Sequence, residues 1–218
     1  MKITCTADLH GHFPKLPGGD LLIVAGDLTA KHTQDEFDYF LEYLCEQQYE
    51  RMIFIAGNHD TFFEEDEQTY VGSLISLFDS GVDVDGWKIW GSPWSLKFKG
   101  INPKCCAYTA INEDQLNDQW RLIPDDTEIL ITHMPPYGIL DGVPNFYDGT
   151  LFHCGSTSLL ARIKELKNLK LHVFGHIHEG FGVVDDRQAP GVQFVNAAYV
   201  NKAYKPVNFP IEINLERK

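Results

Sequence analysis

Residues 171–182 read LHVFGHIHEGFG. A short apolar run, Leu171 to Phe174, stops at Gly175, and two histidines one residue apart, His176 and His178, follow inside a fence of Gly175 and Gly180. A run of this length bounded by glycine reads as a buried strand giving way to a turn. Glycine on both flanks favours a tight backbone path along which another group can approach closely. The pattern recurs along the chain: ITCTA ends at Asp8, LLIVA at Gly26, MIFIA at Gly57 and ILIT at His133. These runs are rich in β-branched residues and mostly continuous in apolar character, as expected of strands covered on both faces.

Helical patterns lie between the runs. Thr33 and Glu36 have the spacing of a capping box, and Phe37, Phe40, Leu41 and Leu44 repeat on one face. Leu159, Leu160, Ile163 and Leu166 make a similar face. Alternating strands and helices predict an α/β fold with helices covering a sheet. Toward the carboxyl end, FGVVDD, GVQFVNA and NFPIEINL read as further strands joined by short turns, which predicts a second sheet. With 218 residues and a 44% apolar fraction, the chain suits one substantial core and a single domain over residues 1–218. The Pro- and Gly-containing stretches 91–103 and 135–155 are long enough to be functional loops.

Eighteen Lys and Arg against 31 Asp and Glu give a formal charge of -13. Such a surface repels a polyanion, so no long nucleic acid is expected as partner. The five cysteines, Cys5, Cys45, Cys105, Cys106 and Cys154, are odd in number and show no CxxC spacing, which fits reduced thiols better than a disulfide framework or a zinc cluster. No run approaches the roughly 18 apolar residues that span a bilayer. A cytoplasmic setting without membrane contact is the expectation.

Each of the five apolar runs ends in metal-binding side chains. In order they deliver Asp8 with His10, then Asp27, then Asn58 with His59 and Asp60, then His133, then His176 with His178. In open α/β sheets the carboxyl ends of strands form the ligand crevice, so five separate segments point to one place. Imidazole, carboxylate and amide oxygen together suit divalent first-row ions such as Mn, Fe, Zn, Co or Ni; the oxygen-only set of a calcium site is absent. The set Asp8, His10, Asp27, Asn58, His133, His176 and His178 exceeds the four ligands of one zinc and suits two ions sharing a carboxylate. Two divalent ions outweigh the charges of Asp8 and Asp27, so a small phosphate ester is attracted locally despite the acidic surface. His172 reads as a core residue, His32 and His153 as loop or helix-edge residues, and His12 as solvated or near substrate; none of these enters the predicted site.

The ordered series DLH, GD, GNHD, TH and GHIH resembles the calcineurin-like metallophosphoesterase superfamily. Two further stretches, IPDDTEILITHMPPYGILDG and FVNAAYVNKAYKPVNFPIEI, are similar to a subgroup of metallophosphodiesterase-domain proteins related to the class III cyclic-nucleotide phosphodiesterases. The resemblance implies a four-layer αββα sandwich, with two mixed sheets flanked by helices and two divalent transition-metal ions, manganese the first expected in vitro. It implies that Asp8, His10 and His178 hold one metal, that Asn58, His133 and His176 hold the other, and that Asp27 bridges them. Some members of the subgroup carry glycine where His176 stands; histidine here implies that both metal sites fill. Residues 97–108, with their paired cysteines, match no pattern of the family.

The implied chemistry is direct attack on phosphorus by a hydroxide shared between the metals, with no covalent intermediate. His59 matches a non-ligand histidine that protonates the leaving alkoxide, and Asp60 matches an acidic residue that orients its ring. The leading expectation is hydrolysis of a small diester, cyclic or nucleotide-like. A phosphomonoesterase or phosphoprotein phosphatase with the same metals stands beside it, as does a non-catalytic nucleotide- or metal-binding module. The oligomeric state stays open.

Overall fold

The computed structural model describes residues 1–61, 70–97, 106–145 and 147–217. The first half runs β1 (Lys2–Thr6), β2 (Gly19–Ala25), α1 (Gln34–Cys45), β3 (Tyr49–Ile55), β4 (Tyr70–Val71), β5 (Leu74–Ser76), β6 (Ser80–Val84) and β7 (Trp87–Ser92). Then come β8 (Ser95–Leu96), β9 (Thr109–Ala110), α2 (Glu113–Trp120), β10 (Ile129–Thr132), β11 (Gly142–Pro144), β12 (Leu151–His153) and α3 (Thr157–Glu165). The chain closes with β13 (Leu171–Phe174), β14 (Gly182–Asp185), β15 (Gln193–Asn196) and β16 (Ile211–Asn214).

Two six-stranded sheets result, ordered β16-β1-β2-β3-β5-β4 and β14-β15-β13-β10-β7-β6. Each has four parallel strands in the middle and an antiparallel strand at either edge. Parallel neighbours bring the carboxyl ends of β1, β2 and β3, and of β10 and β13, to common edges. Two of the three carboxyl-terminal strands lie in the expected second sheet and the third does not. β14 and β15 join β13 in the second sheet, whereas β16 lies antiparallel to β1 in the first.

Alternation of side chains builds the layers. Ile3, Cys5, Ile23, Ile53 and Ile55 point inward and meet Ile89, Ile129, Ile131, Val173 and Val195 of the other sheet. Leu22, Val24, Met52 and Phe54 point outward beneath Phe40 and Leu44 of α1. Leu130, Phe174 and Phe194 point outward beneath Leu116 and Trp120 of α2 and Leu159 and Ile163 of α3. The result is a four-layer αββα sandwich. Each fully buried Leu, Ile or Phe contributes roughly 1.5–3 kcal/mol before entropy is counted.

Thr33 caps α1 as its spacing predicts, accepting the Glu36 N–H at 3.3 Å. The Glu36 carboxylate instead takes the Lys31 N–H at 2.6 Å, so the box closes two residues earlier than the motif implies. Stretch 135–155 contains the β11–β12 hairpin, and stretch 91–103 opens with the end of β7 and with β8, which pairs with β9. The rest of the unmatched segment, residues 98–105 with Cys105, lies outside the described residues. Cys5, Cys45, Cys106 and Cys154 are free thiols, as expected. Among the described residues no helix is long and apolar enough to cross a membrane.

Candidate metal centre

The loops after β1, β2, β3, β10 and β13 converge at one end of the sandwich. Their backbone is unusual where the donors sit. Asp8, His10, Asp27 and His176 have φ of 50, 44, 53 and 68°, in the left-handed region where a residue with a side chain costs about 1–3 kcal/mol. Dense local bonding holds them there. The His176 N–H reaches both oxygens of Asp8 at 2.9 Å, the His59 N–H donates to Asp27 Oδ1 at 2.9 Å, and the Asp8 N–H donates to the Gly26 carbonyl at 2.9 Å. Glycine is required at two of the junctions: a Cβ on Gly57 would strike the Asp27 carboxylate, and one on Gly175 would strike that of Asp8.

Asp8, His10 and His178 offer donor atoms within 4.8 Å of one another, as do Asp8, Asp27 and His133. His133 Nε2 lies 3.0 Å from Asn58 Oδ1, 3.2 Å from His176 Nδ1 and 3.4 Å from Asp27 Oδ1. Asp27 faces both groups, with Oδ2 3.6 Å from His10 Nε2. The structure thus gathers all seven of the metal donors read from the sequence, buried or nearly so. His59 is also close, its Nε2 4.0 Å from Asp27 Oδ2.

The donor chemistry fits a cation. His133 Nδ1 is 3.1 Å from the Ala25 carbonyl and so must carry its hydrogen; Nε2 then faces the acceptors of Asn58 and Asp27, which only a positive charge can reconcile. His178 is held alike, with Nδ1 3.1 Å from the Asn201 carbonyl. His10 Nδ1 is buried and has no hydrogen-bond partner among the described residues.

Among protein groups alone, protons supply part of that charge. Burial opposes a charge on His133, but Asp27 and then Asp8 overcome it and push its pKa up to about 9. Burial likewise opposes the charge of Asp27, yet His133, His59 and His10 hold its carboxyl well below the usual range. His10 and His176 are driven down to about 4 and about 3, chiefly by burial, and stay neutral with lone pairs to offer. A metal ion at His133 therefore competes with a proton.

Asp60 departs from its expected role. Its carboxylate accepts the N–H groups of Gly57 at 2.8 Å, Thr29 at 2.9 Å and Leu28 at 3.0 Å, and its Oδ1 sits 3.0 Å from the Thr29 hydroxyl. These bonds stitch the loop after β2 to the loop after β3 and none goes to the His59 ring. Burial and the charge of Asp27 push Asp60 up to about 7.

Residues outside the sequence-derived site also meet here. The Tyr204 ring lies 4.7 Å from that of His10 and 5.4 Å from that of His178. His32, read as a loop-edge residue, stacks on His59. A cleft of about 290 Å³ opens beside Asp27, Asn58, His59 and His176 and is lined further by Lys97 and Lys202. His12 touches only the rim, Nε2 to the Tyr204 carbonyl at 3.2 Å, and His172 is core, bonded to the Thr132 hydroxyl at 2.8 Å.

Paired mixed sheets with carboxylate, amide and imidazole donors between their strand ends define the calcineurin-like phosphoesterases. The family model of that description matches residues 1–180, and this chain belongs to the family, whose members are metal-dependent hydrolases. It is 35% identical over 242 residues to Metallophosphoesterase domain-containing protein 1 of Homo sapiens, covering 98% of this chain and 71% of that protein. It is 24% identical over 205 residues to a 3',5'-cyclic-nucleotide phosphodiesterase of Nostoc sp., covering 92% and 70%. A crystal structure only 15% identical superposes with a TM-score of 0.63 over 89% of both chains, which shows the shared fold.

Proposed function

We propose that this chain hydrolyses small phosphodiesters, cyclic or nucleotide-like, with two divalent transition-metal ions. The observation that carries the reading is the cleft, which sets two lysines, Lys97 and Lys202, against the donor cluster in a chain of charge -13. Asp27 and Glu179 line the same cleft, so a net positive charge there would come from bound cations, which would favour a small anion over an extended one. The name of the Nostoc relative supports a nucleotide diester.

In this reading Asp8, His10 and His178 would hold one ion and Asn58, His133 and His176 the other, with Asp27 available to both. The ions would lower the pKa of water and neutralise the phosphoryl oxygens of the transition state. Lys97 and Lys202 draw the phosphate group in. His59, 7% exposed and lining the cleft, gives its proton to the leaving oxygen. Asp60 acts on the backbone that carries His59, by fixing both loops.

Steady-state rates with bis(p-nitrophenyl) phosphate and p-nitrophenyl phosphate, after reconstitution with Mn, Fe, Zn, Co or Ni, test the reading. A higher kcat/KM for the diester is expected. Preference for the monoester would make the chain a phosphomonoesterase, and no turnover with any ion, with nucleotide still bound, would make it a binding module.

A further inference from the structure

We propose that His32 is a positioning residue, whose imidazole lies flat on that of His59 and fixes the angle from which His59 hands over its proton. The inference rests on the reading of His59 as general acid.

The main chain of His59 is tied on both sides. Its N–H donates to Asp27 Oδ1 at 2.9 Å, and its carbonyl lies 3.0 Å from the Thr29 hydroxyl. These bonds set where the Cα sits. Asp60, the residue expected to orient the ring, spends its bonds on Gly57, Leu28 and Thr29. The ring has neighbours of its own: Nε2 lies 4.0 Å from Asp27 Oδ2, and two imidazoles pack on it. His10 meets His59 nearly perpendicular, with centroids 4.6 Å apart at 82°. His32 meets it nearly parallel, at 5.1 Å and 10°, the offset stack that aromatic pairs favour.

His32 is itself held in place. Its φ of 58° is left-handed, and both chain neighbours are tied to the first turn of α1: the Lys31 N–H donates to the Glu36 carboxylate at 2.6 Å, and Thr33 accepts the Glu36 N–H at 3.3 Å. The stack therefore connects His59 to a helix that bears none of the metal donors. An acid tilted out of line loses proton transfer while leaving metal and substrate binding intact, and misplacement of about 1 Å can cost roughly a hundredfold.

A leaving-group series tests this, from bis(p-nitrophenyl) phosphate to a diester expelling a simple alkyl alcohol. Protonation matters most for the poorest leaving group, so His59→Gln should lose most on the alkyl ester and least on the nitrophenyl ester. His32→Ala should follow the same gradient, with a roughly ten- to hundredfold loss in kcat on the alkyl ester and unchanged KM and metal content. His32→Phe, which keeps a flat ring without the nitrogens, should recover most of that loss. A uniform loss across the series, loss of metal, or a His32→Phe variant as impaired as His32→Ala would overturn the proposal. A flat series for His59→Gln would instead bring down the general-acid reading, and this inference with it.

Discussion

The two sheets bring different chemistry to the centre. The first supplies both carboxylates, Asp8 and Asp27, the Asn58 amide and His10; the second supplies imidazoles only, His133, His176 and His178. Neither set is held solely by its own sheet. His133 of the second leans on the Ala25 carbonyl of the first, and the N–H of His176 grips Asp8 across the gap. Negative charge comes from one side and imidazole alone from the other, with backbone of each bracing the opposite ligands.

The sharpest way to break this division is at Asp27, the carboxylate that faces His10, His59 and His133. Asp27→Asn is expected to lower metal content, read by elemental analysis, together with turnover, and by more than the roughly 10²- to 10⁴-fold expected from losing a general acid. Full metal content in that variant would show that the sheets do not depend on a shared carboxylate. A milder disturbance is Gly175→Ala, whose new Cβ would run into the Asp8 carboxylate and come within 2.6 Å of Ala7 Cβ. Metal affinity measured by titration should fall about 10- to 100-fold, the range seen when a group supporting a ligand is disturbed. Unchanged affinity would mean that the second sheet can shift without moving the first sheet's ligand.

The smallest expected effect concerns acid stability. The second sheet buries a histidine in its outer core, His172, whose ring packs against Phe174 and Phe194. Burial pushes its pKa down to about 3, below an unfolded value of about 6.5. The fold therefore binds this proton less well than the unfolded chain does. The stability contributed by neutral His172 is complete above about pH 6.5 and lost as pH falls toward 3, at no more than about 1.4 kcal/mol per pH unit. Urea unfolding from about pH 7 to 4 should show a shallower decline for His172→Leu than for the parent. Equal slopes would sink the idea.

Much of this was legible in the sequence because a buried parallel strand announces itself twice, by its apolar run and by the polar residues at its end. Asp8 and His133 follow such a run directly, and Asp27, Asn58 and His176 follow after a single glycine. What was not legible has physical reasons. In EDQLNDQW only Leu116 and Trp120 are apolar, too few to mark α2 as a face. β16 carries the pattern of any edge strand, and its partner β1 lies some 200 residues away, so its sheet could not be read locally. His32 and Tyr204 follow no apolar run; they reach the centre through left-handed turns, φ 58 and 57°, that a single residue type does not reveal. The acidic residue after His59 was visible, but the direction of its bonds depends on the loop beneath it.

The cross-bracing of the two sheets has a thermodynamic consequence. A cation that needs donors from both halves binds the assembled sandwich far better than the open chain, so occupancy and folding become linked equilibria. At a free-ion concentration a hundred times the dissociation constant, such linkage is worth about 2.7 kcal/mol. The melting temperature of this protein then serves as a gauge of how much metal its surroundings supply.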